Sequence, residues 1–195
     1  MLDSIQMKKR VFIIHGWGGR PGKGWLLWLR KELTKKGFEV HSLEMPDKDA
    51  PVIAKWLDFL KLTVNPDGNT YFVGHSIGCQ AIIRYLETLD SKSKVGGAVF
   101  VAGWFTLTGM ESKEEEEIAK PWLKTKINLK KVRQRMKQSI ALFSDNDPYV
   151  PLENVKTFRE DLGSRIIIEK EKGHYIEHDT EQIPIVLKEL MEMAK

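Results

Sequence analysis

The chain has 195 residues, of which 42% are hydrophobic and 30% are charged, a mix that excludes a disordered tail protein and a collagen-like repeat. At about 150 residues per domain, this length predicts a single domain over residues 1–195. Lys and Arg number 31 against 27 Asp and Glu, which gives a net charge of +4. Such a small excess does not indicate a nucleic-acid partner.

Cysteine usage and hydropathy bear on the cellular compartment. Cys79 is the only cysteine, so no internal disulfide forms and secretion into an oxidising compartment is unsupported. Residues 1–10 contain no apolar segment of the kind that a signal peptide needs. The longest uncharged stretch, residues 95–110, is shorter than the ~20 residues of a membrane-spanning helix. We therefore expect a soluble, cytoplasmic protein that does not associate with a membrane.

Short apolar runs, which predict buried strands, alternate along the chain with amphipathic stretches, which predict helices. The predicted strands are residues 11–14, 38–43, 70–73, 95–102, 139–143 and 165–169. The predicted helices are residues 25–36, 51–62, 76–89, 155–162 and 181–193. This alternation predicts right-handed βαβ units and a mostly parallel six-stranded sheet with helices on both faces, a three-layer α/β sandwich.

Residues 106–137 break the alternation. An acidic run at 114–117 is followed by basic residues from Lys120 to Lys137 with no acid among them. One interpretation is a pair of solvated surface helices, since charge runs usually mark solvated faces. The other is a small cap or lid over a site. A nucleic-acid stripe is disfavoured because the neighbouring acids oppose its field.

A candidate nucleophile lies at the end of the third predicted strand. The sequence Gly74-His75-Ser76-Ile77-Gly78 follows that strand directly and opens a helix, the context in which Gly-x-Ser-x-Gly indicates a nucleophile elbow. The serine of such an elbow has a strained backbone, and side chains two residues away on either side would clash. The alternative is that Ser76 is only the N-cap residue of the helix.

A serine hydroxyl needs a base, and the base needs an acid that orients it. His174 follows the sixth predicted strand at the carboxyl edge of the sheet, where sites of open parallel sheets form. His178 lies in more polar chain and is interpreted as a solvated residue. Asp145 and Asp147 both follow the fifth strand and are both candidate acids, although Asp145 has the alternative role of an Asx-turn residue.

The remaining candidates surround the proposed nucleophile. The N–H of Ile77 is one expected oxyanion donor, and the loop after the first strand supplies the second, from Trp17 or, failing that, Gly16. Trp104 and Phe105 follow the fourth strand at the same edge of the sheet. We expect these two residues to line an acyl pocket, with simple packing as the alternative.

The serine, histidine and aspartate candidates together predict a hydrolase that acts through a serine nucleophile. Two other functions fit parts of the sequence. The sequence from His174 to His178 matches the inverted zinc-protease pattern His-x-x-Glu-His, but Gly173 lies where the required helix would already have begun. A degenerate hydrolase fold that binds a protein partner through residues 106–137 is the second alternative, and nothing in the sequence supports a specific partner. No phosphate loop, dinucleotide fingerprint or metal cluster is present, so we expect no cofactor and no metal.

Taken together, these motifs resemble the α/β-hydrolase superfamily, and more narrowly the small serine hydrolases related to retinoblastoma-binding protein nine. The resemblance rests on the strand leading into His15-Gly16, the elbow at Ser76, the Asp-Pro-Tyr-Val-Pro segment from Asp147 and the late Gly-His pair at His174. It implies a compact hydrolase fold with little or no cap and Asp147 as the triad acid. It also implies cleavage of a small ester, thioester or amide substrate through an acyl-enzyme, without a cofactor.

Overall fold

The computed structural model describes residues 8–176 and 180–195. Six strands alternate with seven helices in this part of the chain. The strands are β1 (Arg10–Ile14), β2 (Glu39–Leu43), β3 (Thr70–His75), β4 (Gly97–Val101), β5 (Ser139–Ser144) and β6 (Arg165–Glu169). The helices are α1 (Gly24–Lys35), α2 (Ile53–Thr63), α3 (Ile77–Thr88), α4 (Lys113–Lys124), α5 (Leu129–Gln134), α6 (Asn154–Glu160) and α7 (Pro184–Met193).

The six strands form one sheet in the order β2-β1-β3-β4-β5-β6, and every neighbouring pair is parallel. The predicted α/β fold is therefore confirmed. The chain moves outward from β1 to β2 and then returns to place β3 on the other side of β1. This change of direction creates a topological switch point beside the carboxyl ends of β1 and β3, where open α/β sheets bind their ligands.

Both faces of the sheet are covered, because alternate residues of each strand point to opposite sides. Val11 and Ile13 contribute to a core that includes buried residues of α1 and α7. Phe12 and Ile14 contribute to the opposite core, which includes buried residues of α2, α3 and α6. Three layers result, with the sheet in the middle.

Residues 106–137 form α4 and α5. The N-terminus of α4 has a capping box, in which the Ser112 hydroxyl accepts from the Glu115 N–H and the Glu115 carboxylate accepts from the Ser112 N–H. Acidic residues in this first turn are also favoured by the helix dipole. The two helices are not simply solvated faces, because Ala119, Trp122 and Val132 are buried.

The C-terminal end of α4 is fixed to the body of the protein. The Trp122 indole N–H donates to the Pro51 carbonyl at 2.9 Å. The buried Arg84 guanidinium on α3 donates to the carbonyls of Trp122 and Thr125 at 2.7 and 3.0 Å, which are free acceptors at a helix end. These contacts hold α4 against the helix that follows the candidate nucleophile. None of the described helices has the length and apolar character needed to cross a membrane.

Candidate active site

Ser76 occupies the sharp turn between β3 and α3. Its backbone has φ 49° and ψ −119°, a conformation that non-glycine residues rarely adopt. The Ser76 N–H donates to the Val101 carbonyl at the end of β4 at 2.9 Å. Ser76 occupies the N-cap position of α3, but its hydroxyl makes no capping bond to the helix. The strained backbone predicted for an elbow is present at this residue.

The two glycines of the elbow are required by close contacts. A Cβ on Gly78 would lie 2.5 Å from the Ile14 carbonyl oxygen and 2.7 Å from that of His15. A Cβ on Gly74 would lie 2.9 Å from the backbone nitrogen of Cys79. The absence of side chains therefore lets the first turn of α3 pack directly on the end of β1.

His174 contacts Asp147 on the loop after β5. The His174 Nδ1 and the Asp147 Oδ2 are 2.8 Å apart, and the two side chains are only 11% and 2% exposed. The other carboxylate oxygen of Asp147 accepts from the N–H groups of Tyr149 and Val150 at 2.9 and 3.0 Å. These contacts fix the carboxylate and direct the opposite ring nitrogen, Nε2, away from Asp147.

Asp145 makes a different contact. Its Oδ1 accepts from the Glu171 N–H at 2.8 Å, so this carboxylate joins the loop after β5 to the loop after β6. Neighbouring side chains do the same: the Ser144 hydroxyl accepts from Lys172 N–H at 2.9 Å and the Asn146 carbonyl accepts from Gly173 N–H at 2.8 Å. Residues 144–147, at the end of β5 and directly after it, thus bind residues 171–174 after β6. The Asp147–His174 pair is the last of these contacts.

The loop after β1 is stabilised by His15. The Met45 N–H donates to His15 Nε2 at 3.0 Å, so this nitrogen is the acceptor and Nδ1 carries the ring proton. Nδ1 then donates to the Gly16 carbonyl at 2.7 Å. His15 therefore stabilises this loop through hydrogen bonds at both ring nitrogens, with Nε2 as acceptor and Nδ1 as donor.

A cavity of about 560 Å³ brings most of these groups together. Ser76, Ile77, Trp17, Trp104 and His174, all predicted as site residues, line it. Asp147 is not among the lining residues and contacts the His174 ring instead. Further lining residues come from the loop before α4 and from the first part of that helix: Leu107, Thr108, Gly109, Met110, Glu111, Ser112, Glu114, Glu115 and Ile118.

Phe105 does not line this cavity, in contrast to the prediction that it forms part of an acyl pocket. Its ring packs against Phe158 of α6, with the ring centres 5.1 Å apart, and its N–H donates to Asn154 Oδ1. Trp104, its neighbour in the chain, does line the cavity. Simple packing, the alternative interpretation, describes Phe105.

Comparison with known proteins decides the family. A family model described as serine hydrolase matches residues 11–192. The chain belongs to the serine hydrolase family. It is 30% identical over 182 residues to YdeN of Bacillus subtilis, covering 92% of this chain and 93% of YdeN. It is 25% identical over 185 residues to the serine hydrolase RBBP9 of Rattus norvegicus, with the same coverage.

The fold of this serine hydrolase agrees with solved structures. The crystal structure of the ydeN gene product from B. subtilis matches with a TM-score of 0.86 and 29% identity, over 95% of this chain and 98% of that one. Est1E from Butyrivibrio proteoclasticus matches with a TM-score of 0.70 over 95% of this chain and 88% of its own, at 16% identity. The likeness to Est1E shows the fold alone. The ydeN gene product is similar to this chain in both sequence and structure. The resemblance to the α/β-hydrolase superfamily is confirmed.

Two positioning contacts in this serine hydrolase have no clear signal in the sequence. His75, beside Ser76, has its Nε2 2.8 Å from the His174 carbonyl oxygen, so this nitrogen is a donor. The buried Tyr175 hydroxyl donates at 3.1 Å to the Phe143 carbonyl and contacts the Glu169 carboxylate. Burial, together with the Glu169 carboxylate, raises the pKa of Tyr175, so the phenol keeps its proton and remains a donor. Both contacts hold the backbone around His174.

Two further residues of this serine hydrolase, Cys79 and His178, carry groups that could take part in chemistry. Cys79 lies in α3 and is buried, its thiol is 3.2 Å from the Gly74 carbonyl oxygen, and burial raises the pKa of the thiol. His178, the second histidine of the zinc-protease pattern, lies outside the described residues. Within residues 8–176 and 180–195, no group of three His, Cys, Asp or Glu side chains is arranged to hold a metal.

The elbow geometry predicts that Gly78→Ala disrupts the site. Its new Cβ meets two backbone carbonyls, so we expect a loss of about 3 kcal/mol in unfolding free energy and loss of labelling by a fluorophosphonate. Urea denaturation and gel-based labelling measure the two effects. Gly22→Ala is the matched control, because no atom lies within 4 Å of its Cβ position. Wild-type stability in Gly78→Ala would show that α3 does not need this close approach.

Proposed function

We propose that this serine hydrolase cleaves small carboxylic esters, or related thioesters and amides, through an acyl-enzyme intermediate. Ser76 is the nucleophile, His174 the general base and Asp147 the acid that orients the base. The observation that carries the proposal is the shared cavity: a serine in a strained elbow lines the same space as a histidine whose Nδ1 is held by a buried carboxylate. That set of three groups is what activation of a hydroxyl requires.

The reaction begins when Ser76 Oγ attacks the carbonyl carbon. The Oγ proton moves to His174 Nε2, a C–O bond forms, and the carbonyl π electrons move to the carbonyl oxygen. Collapse of the tetrahedral species re-forms the C=O bond and expels the leaving group, which takes the proton from the imidazolium. Water then repeats the sequence, with His174 as base, and releases the acid and free Ser76.

Asp147 acts on this sequence through the imidazole. With Nδ1–H donated to the carboxylate, Nε2 is the unprotonated nitrogen that accepts the serine proton. The carboxylate also stabilises the imidazolium that forms. Because Tyr149 and Val150 donate to its second oxygen, the carboxylate cannot rotate freely away from the ring.

Backbone donors at the cavity are suited to stabilise the oxyanion. Ile77 is the first residue of α3, and N–H groups in the first turn of a helix have no partner within that helix. Trp17 lies in the loop after β1 and lines the cavity from the other side. We assign the oxyanion hole to the N–H groups of Ile77 and Trp17, with the helix dipole adding to the first.

Residues 106–137 form a small, anchored cap in this proposal. The loop before α4 and its first turns line the cavity, while Arg84 and the Trp122 indole fix the other end of the helix. A wall held in this way limits the acyl group to one that fits about 560 Å³. We propose that the cap belongs to the same single domain as the sheet.

The charge of the cavity restricts the substrate further. Four acidic residues are among its lining residues, Asp49, Glu111, Glu114 and Glu115, and no Lys or Arg is among its described lining residues. Asp49 is paired with Lys48 at 3.2 Å. Glu111 and Glu114 have no ion-pair partner in the described part of the chain. The resulting negative field disfavours substrates with an anionic acyl chain, although the protein as a whole is positive.

Loss of the nucleophile is the first test. We expect Ser76→Ala to abolish both labelling by a fluorophosphonate probe and hydrolysis of p-nitrophenyl butyrate, because no hydroxyl remains to be acylated. Mass spectrometry of the labelled wild type identifies the modified residue. Labelling that persists in Ser76→Ala would overturn the assignment, and an inert wild type would favour a binding function for the fold.

The acid is tested by two matched substitutions. Asp147→Asn removes the charge beside His174 and is expected to lower kcat by about 10⁴-fold. Asp145→Asn leaves the His174 contact intact and is expected to cost less than about tenfold, because its partner is the Glu171 N–H. Steady-state ester hydrolysis and thermal melting are measured for both variants. A greater loss of activity in Asp145→Asn would exchange the two roles.

The field of the cavity is tested with substrates of different charge. At low ionic strength we expect kcat/KM for p-nitrophenyl butyrate to exceed that for the p-nitrophenyl hemisuccinate anion by about tenfold, with the ratio falling as salt is added. The double variant Glu111→Gln/Glu114→Gln lowers the ratio, whereas Glu160→Gln on α6 leaves it unchanged. Equal rates on both esters at low salt would contradict the electrostatic argument.

A further inference from the structure

The indole of Trp104 contacts the reacting oxygen itself. Its Nε1–H donates to Ser76 Oγ at 3.3 Å, and the residue is only 1% exposed. A buried indole N–H normally has a hydrogen-bond partner, but here the partner is the hydroxyl in the strained elbow. The contact therefore places a fixed donor on the atom whose charge changes during the reaction.

The position of Trp104 is set by the same helix that carries the nucleophile. The Gln80 side-chain amide, in the second turn of α3, donates to the Trp104 carbonyl. Just before it, a Cβ on Gly103 would lie 3.1 Å from the Cβ of Cys79, so the chain passes directly over α3. Trp104 and Ser76 are thus both positioned by α3. A preorganised hydrogen-bond donor requires such a rigid element.

We infer that Trp104 is a hydrogen-bond donor to the nucleophile in both acylation and deacylation, an inference that rests on the proposed role of Ser76. A serine hydroxyl has one proton and two lone pairs. The indole N–H occupies one lone pair, which leaves the proton for His174 Nε2 and the second lone pair for the carbonyl carbon. The contact selects the orientation of the hydroxyl that attack needs.

The same bond becomes stronger as the reaction proceeds. When Oγ gives its proton to His174, it gains negative charge before the new C–O bond is complete, and hydrogen bonds to charged acceptors are roughly twice as strong as neutral ones. The indole keeps its proton throughout. The hydrogen bond is long and weak in the resting enzyme and becomes stronger in the transition state. It therefore lowers the activation barrier, whereas a bond of equal strength in both states would not.

Deacylation uses the donor in reverse. The Oγ atom is then the ester oxygen of the acyl-enzyme, and water attached to the acyl carbon displaces it. As the C–Oγ bond breaks, Oγ recovers the electron pair and takes a proton from the His174 imidazolium. Trp104 N–H again faces the oxygen on which charge develops, so both half-reactions gain from it.

A role in acyl binding makes a different prediction for the same residue. As a pocket wall, the indole ring contacts the acyl chain, so its replacement changes KM and the change depends on chain length. As a donor to Oγ, it acts on an atom common to every substrate. Its loss then lowers kcat by a similar factor for every acyl chain and leaves KM almost unchanged.

The test compares Trp104→Phe with wild type on p-nitrophenyl acetate, butyrate and octanoate. We expect kcat to fall about tenfold on each ester, KM to change less than about twofold, and the rate of fluorophosphonate labelling to fall by the same factor as kcat. Trp56→Phe is the matched control, since it also removes a buried indole N–H bond, here to the Pro46 carbonyl. It is expected to retain wild-type kinetics.

If Trp104→Phe does not fold, site-specific replacement of Trp104 by benzothienylalanine keeps the ring shape and removes only the N–H. A wild-type kcat and labelling rate in that protein would overturn the inference, as would a KM change that grows with chain length. Labelling of the wild type at Ser76 is measured in the same series. Its absence would count against the proposed function, whereas normal labelling with an unaffected Trp104 variant would count against this inference alone.

Discussion

The architecture of the site depends on the contact between the first turn of α3 and the carboxyl end of β1. Because Gly78 has no side chain, α3 approaches the Ile14 and His15 carbonyls more closely than any Cβ would permit. Ser76, in the turn between these elements, has a positive φ and lines the cavity at the switch point of the sheet. The strain at one residue is maintained by the hydrogen bonds and packing around it.

A second set of contacts brings His174, the proposed base, from the far edge of the sheet to the cavity that Ser76 also lines. The loops after β5 and β6 are joined by successive side-chain-to-backbone bonds from Asp145, Ser144 and Asn146, and the last pair in the series is Asp147 and His174. Each bond alone contributes about 1 kcal/mol, but together they leave the imidazole with little freedom. The proposed chemistry therefore depends on side chains at residues 144–147 that do not line the cavity.

Local sequence signals predict the parts of the site that depend on neighbouring residues. The elbow, the alternation of strands and helices and the position of His174 after β6 all follow from short motifs and periodicity. Contacts between distant segments leave no such signal, which is why the Phe105 prediction failed and the Tyr175 anchor was missed. The burial of Trp122 is another contact of this kind. Charged residues dominate its segment, although one apolar side of a helix is enough to anchor that helix.

The net charge of +4 describes the chain but not the environment of the substrate. The acidic first turn of α4 is favoured there by the helix dipole and by its capping box, so a local requirement of helix formation places carboxylates on the cavity. The basic residues that balance them follow between Lys120 and Lys137, and none of them lines the cavity. The same rule of helix capping thus accounts for the start of α4 and for the negative field proposed at the cavity.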